Sequence, residues 1–148
     1  MLLLRALDPR TEQPLFEQAY RWRSHRRDRM PFAEFAKDDS NQIALGLFNG
    51  ELIAVYFFHS IDTDTFQAHF TSRRGSKRAE VVAGATQLVN WFRANGLQMV
   101  AFVSPRNTAI RRFVEQAGLS EFGACQNDTN GCSVSPTPHL WVEYRSGR

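Results

Sequence analysis

Asn49-Gly50 stands between two largely apolar runs, Gln42 to Phe48 and Leu52 to Ile61. Asn-Gly favours positive φ at both central positions, the geometry of the tight turn that joins antiparallel strands. A third strand-like run, Thr65 to Thr71, follows the turn chemistry of Asp62-Thr63-Asp64. The middle of the chain therefore reads as an antiparallel three-strand meander. The period then changes: Val81, Ala85, Leu88, Val89 and Phe92 recur at helical spacing, and Asn95-Gly96 supplies the stop. A meander that feeds straight into an amphipathic helix excludes an all-helical fold and an all-parallel sheet.

The flanks extend this order. Leu2 to Leu7 reads as a first strand, and Asp8-Pro9 as the cap and first turn of a helix from Pro9 to Arg23 carrying Leu15, Phe16, Ala19 and Tyr20 on one face. A basic connector, Ser24 to Met30, leads to a short second helix opened by Pro31 with Phe32, Phe35 and Ala36. After the central helix (Arg78 to Asn95), Gln98 to Val103 is a short apolar strand. Ile110, Phe113, Val114 and Ala117 mark a further helix closed by Gly118, and Ser120 to Cys125 and His139 to Tyr144 make two last strands. The Gly/Ser/Pro/Asn-rich excursion between them, Asn127 to Pro138, is expected to be a mobile loop. The order β-α-α-β-β-β-α-β-α-β-β predicts an α+β sheet with helices on both faces, in a single domain spanning residues 1–148.

With 148 residues, 43% of them apolar, the chain can bury one core, and no run approaches the roughly 18 apolar residues of a membrane span. Met1-Leu2-Leu3-Leu4 is broken by Arg5 and Asp8, so it is expected as a strand and not as a signal peptide. Cys125 and Cys132 flank the polar excursion. Without a secretion signal they point to a reducing cytoplasm, although a disulfide across the loop is the alternative; their spacing is not that of a four-ligand zinc site, so no metal is expected. The net charge of +3 permits nucleic-acid binding without compelling it. Arg21, Arg23, Arg26, Arg27 and Arg29, interleaved with Trp22 and His25, are either a solvated loop or a recruiting surface for an acidic partner.

The stretch with most chemical content is Arg73-Arg74-Gly75-Ser76-Lys77-Arg78-Ala79, between the third meander strand and the central helix. The first N–H groups of a helix lack intrahelical acceptors, and the helix dipole places partial positive charge there. Four cations crowded at that end oppose the dipole unless an anion relieves them. The loop is therefore expected to hold a phosphate-rich ligand.

The order of elements, with a basic turn after the fourth strand, resembles the GNAT acetyltransferase superfamily. Its members carry an Arg/Gln-x-x-Gly-x-Gly/Ala loop that binds the pyrophosphate of acetyl-CoA; here Arg74 takes the first position, Lys77 stands where the first Gly would, and Ala79 fills the last. Members also place an Asn at the start of the next helix and end that helix in a Tyr-x-x-x-Gly-Phe pattern, matched here by Asn107 and by Gly118-Leu119, with Val114 in place of the Tyr. The resemblance covers nearly the whole chain. It implies a mixed, mostly antiparallel sheet and an acyl-CoA-dependent N-acyltransferase that uses acetyl-CoA as co-substrate and transfers the acetyl group directly to a small-molecule or protein amine in a ternary complex.

On that reading Arg73, Arg74, Gly75, Ser76, Lys77, Arg78 and Ala79 hold the pyrophosphate, and Asn107 contacts CoA as well as capping its helix. The thioester carbonyl would be held by the backbone of Thr65 to Thr71 where this strand splays from Gln98 to Val103. His69, on the same strand, is the candidate general base, with His59, Glu51 and Asp64 behind it. Val114 cannot protonate a departing thiolate, as the family Tyr often does, and Lys77 adds a side chain where the backbone should approach phosphate. The alternative is a GNAT-fold protein that has lost catalysis and serves as a structural, virion-associated or binding component of a tailed phage. A virion or second-copy partner belongs to that alternative, and a nucleic-acid-binding domain using both Arg clusters ranks third.

Overall fold

The structure is a computed structural model, and it describes residues 1–22, 42–125 and 141–147. Its elements are β1 (Leu3–Ala6), α1 (Gln13–Arg21), β2 (Gln42–Asn49), β3 (Glu51–Ser60), β4 (Thr65–Ser72), α2 (Arg78–Ala94), β5 (Gln98–Val103), α3 (Thr108–Ala117), β6 (Ser120–Cys125) and β7 (Trp141–Arg145). The strands form one seven-stranded sheet in the order β1-β2-β3-β4-β5-β7-β6. The sheet is mixed and mostly antiparallel, with β4 and β5 paired in parallel. The expected helix at Pro31, the whole Ser24 to Met30 connector, Cys132 and the whole Asn127 to Pro138 excursion lie outside the described residues.

Two boundaries differ from the sequence expectation for local reasons. Helix α1 begins at Gln13 and not at Pro9. The Asp8 carboxylate accepts from the Arg10 amide (2.9 Å) and the Asp8 carbonyl from the Glu12 amide (2.8 Å), which closes a separate turn first. Pro14 then sits in the first helical turn, where its missing N–H costs nothing. At the β2–β3 hairpin, Gly50 alone has positive φ (+76°). Asn49 stays in the strand opposite Glu51, because a register shift at Leu47/Phe48 absorbs one residue and shortens the turn. Its side chain accepts from the Met1 amino group (3.2 Å) and donates to Glu80 (2.7 Å).

Contacts gather in two compact units. The first comprises Met1–His59 and His69–Gly84, the second Ser60–Ala68 and Ala85–Arg148, so that β4 and α2 each contribute to both. In the first unit Leu7, Phe16, Ala19, Ala44, Leu52 and Val55 form a core, with Leu15, Trp22, Phe48 and Phe57 packed on it. The start of α2 is seated by a hydrogen bond from the Tyr56 hydroxyl to the Val81 carbonyl (2.6 Å). Gly84 permits this seating, since a Cβ there would lie 2.7 Å from the Tyr56 oxygen and 3.0 Å from Leu47.

In the second unit Val89, Phe92, Met99, Ala101, Phe113, Val114 and Tyr144 are buried, and Phe66 meets Phe92 edge-on. Arg93 donates to the Ser146 carbonyl (2.7 Å) and the Gly118 carbonyl (2.6 Å), pinning the end of α2 to two other segments of that unit. Tyr144 is fully buried; its hydroxyl accepts from Arg111 (2.9 Å) and donates to Glu115 (3.2 Å). That satisfies a phenol that would otherwise be costly to bury. Among the described residues no helix is long and apolar enough to cross a membrane.

Candidate anion loop and the strand that leads to it

Strand β4 alternates. Thr65, Gln67, His69 and Thr71 share one face by the two-residue period, and Phe66, Ala68 and Phe70 share the other. On its parallel side β4 pairs with β5 through three residues, Thr65 with Gln98, Phe66 with Met99 and Gln67 with Val100. Among the described residues the ladder ends there. β5 continues to Val103 along β7, while β4 runs on to Ser72. A strand released from its parallel neighbour partway along presents backbone that can be offered to a ligand.

After Ser72 the chain turns tightly. The Arg73 amide donates to the Ile53 carbonyl of β3 (2.8 Å), and the Ser76 amide donates back to the Arg73 carbonyl (3.0 Å). Gly75 has φ +85°, the left-handed position of that turn, where a non-glycine residue is strained. The Lys77 carbonyl accepts from the Glu80 and Val81 amides (3.1 and 3.3 Å), so Lys77 is the cap of α2 and Arg78 its first residue. No non-glycine among the described residues has positive φ. Lys77 therefore carries its side chain without backbone strain, and what glycine would have added at this position is room.

The charge balance differs from four free cations. Arg73 forms an ion pair with Glu51, the first residue of β3, which also commits one of the candidate bases. Glu80 stands in the first turn of α2, where its charge suits the dipole. Arg74 and Lys77 are exposed, and among the described residues neither side chain has a hydrogen-bond or ion-pair partner. These two are the cations the loop can offer to an anion.

His69 is exposed on β4, and its ring stacks on His59 of β3, with centroids 5.4 Å apart and planes 17° from parallel. The structure thus brings His69, His59 and the whole of Arg73 to Ala79 into the first unit. Asn107 belongs to the second. There its side-chain oxygen accepts from the Ile110 amide (3.1 Å), the capping bond expected for it. Val114 is 7% exposed and packs as core. Asp64 lies just before β4, its carboxylate accepting from the Thr65 hydroxyl (3.2 Å). Of the connector arginines only Arg21 is described; it is exposed in the last turn of α1.

Sequence reasoning missed a second group of polar residues. Gln67 and Glu143 are 2% and 1% exposed inside strands that read as ordinary core. The signal available for Glu143 was the alternation in Trp141-Val142-Glu143-Tyr144-Arg145, which places two charges on one face of a strand with buried neighbours.

No family model matches the sequence, and no curated protein matches it by sequence. Solved structures do match the fold. A mutant form of the spermidine N-acetyltransferase SpeG from Vibrio cholerae superposes with a TM-score of 0.74 at 12% identity, covering 97% of this chain and 92% of that one. An acetyltransferase of the GNAT family from Streptococcus pneumoniae gives 0.67 at 16% identity, covering 98% of both chains. A probable acetyltransferase gives 0.66 at 18% identity, covering 97% of this chain and 91% of that one. With the three-residue parallel ladder, the basic turn and the helix it opens, these likenesses show that the chain has the GNAT acetyltransferase fold.

Proposed function

We propose that this chain is an acyl-CoA-dependent N-acyltransferase, with acetyl-CoA as its co-substrate. The observation that carries the reading is the continuity of the strand that, among the described residues, leaves its parallel partner after Gln67, the Gly75 turn, and a helix start bearing Arg74 and Lys77, cations without a partner among the described residues. Amides at the helix start and the two side chains would take the pyrophosphate, and Arg78 and Ser76 add donors beside them. Asn107 would contact CoA through its amide group while its oxygen caps α3. The backbone of β4 beyond Gln67 would hold the thioester carbonyl and stabilise charge on its oxygen.

The amine lone pair attacks that carbonyl; the C–N bond forms, the C–S bond breaks, and CoA leaves as thiolate. His69, an exposed residue of β4, would take the proton shed by the amine nitrogen. No proton donor stands at Val114, so the thiolate would be protonated from solvent.

Calorimetric titration with acetyl-CoA tests the reading. Binding is expected, and Arg74→Ala together with Lys77→Ala should weaken it by roughly tenfold to a hundredfold, because two charge-assisted contacts are lost. No heat at millimolar acetyl-CoA would end the proposal. His69→Ala should lower kcat while leaving acetyl-CoA affinity unchanged.

One observation favours a second reading. Val114 is buried in the core where the family resemblance places a tyrosine. A GNAT-fold protein that binds a partner without catalysis, such as a virion component, would need no proton donor there. Acetyl-CoA bound but not turned over with any amine would support it.

A further inference from the structure

His59 and His69 lie in the first unit, on the adjacent strands β3 and β4. Their ring centroids are 5.4 Å apart and their planes 17° from parallel. His69 is exposed and His59 half-buried, so the pair is open to small ions from solvent. The acyl-transfer steps above use His69 alone and give His59 no part.

Neutral imidazole is the commonest side-chain ligand of metals such as zinc, and each ring has one nitrogen lone pair to give. Two imidazoles bound to one tetrahedral zinc, each at about 2.0 Å, have ring centroids about 5 Å apart. The observed separation already meets that spacing. The near-parallel planes call for a turn of one ring about χ2, a broad torsion in histidine, and no strand has to move. Neighbouring strands of one sheet keep the two rings together, so the second nitrogen is at hand once the first has bound. Magnesium and calcium take oxygen ligands and gain nothing from such a pair.

A zinc built into a fold has three or four protein ligands. Among the described residues no three His, Cys, Asp or Glu side chains are grouped to hold a metal ion. Two imidazoles leave the remaining positions to water, which suits an ion that exchanges with solvent.

We propose that His59 and His69 chelate one exchangeable zinc ion across β3 and β4. Its effect on catalysis rests on the acyltransferase reading above; the binding itself does not. The ion occupies the nitrogen lone pair with which His69 would accept the amine proton. Bound zinc is therefore an inhibitor that a chelator removes.

The test uses the whole chain with zinc chloride, with magnesium chloride as control, and no acetyl-CoA. Imidazole NMR resonances and the melting temperature are read. Zinc should move the His59 and His69 ring signals together and raise Tm, and magnesium should do neither. His59→Asn and His69→Asn should each weaken zinc at this site by at least about tenfold, the least that loss even of a supporting group costs a metal site. The other imidazoles and thiols of the sequence are His25, His139, Cys125 and Cys132. Cys125→Ser together with Cys132→Ser should leave the His59 and His69 ring shifts in place.

Zinc that moves neither ring or only one, undiminished affinity in both histidine variants, or loss of the shifts with the two cysteines would overturn the proposal. In the acetyl-transfer assay zinc should lower kcat, leave acetyl-CoA affinity unchanged and be reversed by a chelator; zinc bound at the pair with kcat undiminished would overturn the inhibitory role. Zinc binding without acetyl-CoA binding would leave the metal site standing and remove the acyltransferase reading. Acetyl-CoA binding without zinc binding would do the reverse.

Discussion

The anion loop and the cavity lined by Asp62, Thr65, Gln98, Glu143 and Arg145 are built in opposite ways. The loop is seven consecutive residues, Arg73 to Ala79, and its geometry comes from one turn bond, one left-handed glycine and one helix start. The cavity draws on Asp62 and Thr65 at one end of the lining and Glu143 and Arg145 at the other, about eighty positions apart in sequence. The loop is exposed and its cations Arg74 and Lys77 stay hydrated until a ligand arrives. The cavity holds Glu143 and lies beside Gln67, two nearly fully buried polar side chains that cannot be hydrated in the same way. A contiguous site is thus insensitive to packing elsewhere but depends on each local backbone angle; a dispersed one depends on register between strands.

Three substitutions separate these dependences. The largest effect is expected from Gly84→Val, which would drive carbon into the Tyr56 hydroxyl and Leu47 and should cost about 3 kcal/mol of stability, measured by urea unfolding. It should lower acetyl-CoA affinity too, because the seating of the loop's helix is disturbed. Retained stability would mean that this helix start is not held by the Tyr56–Val81 contact.

Gly75→Ala should cost about 1–2 kcal/mol, the penalty of a side chain in a left-handed conformation. Nothing lies within 4 Å of a Cβ at this position, so the loss comes from backbone strain alone. Acetyl-CoA affinity should fall while the Gln98 and Val100 amide shifts, beside the cavity, stay where they are. Movement of those amides as well would show that the loop and the cavity are not independent. Asn107→Ala should have the smallest effect, about 1 kcal/mol from the lost helix cap, read as a lowered Tm. If acetyl-CoA affinity falls well beyond what that instability explains, Asn107 contacts the ligand as well as its own helix.

Much of the element order was legible because its signals are local. β5 (Gln98–Val103) and β6 (Ser120–Cys125) fall where the apolar runs place them, and Asn107 and Gly118 bracket α3 as cap residues should. The start of α1 was misplaced because Asp8 closes a turn of its own before Pro14 sets the helix. The Asn49-Gly50 turn differed in detail because a register shift in the partner strand is invisible in a dipeptide.

The loop at Arg73 to Ala79 was visible as an anion site because every group it needs lies within seven residues. Its true charge was not, since Glu51, which neutralises Arg73, comes from the preceding hairpin.

Local periodicity, turn chemistry and helix caps thus determined the order of strands and helices, the class of fold, and the place of the basic turn, for all of these depend on interactions between near neighbours in the chain. Tertiary structure alone decided that β7 inserts between β5 and β6, that the parallel ladder of β4 with β5 stops at Gln67, and that Asp62, Thr65, Gln98 and Glu143 line one cavity. Those outcomes depend on which strand edges meet and in what register. Pairing between distant segments is settled by the burial they share, and no short window of sequence carries that information.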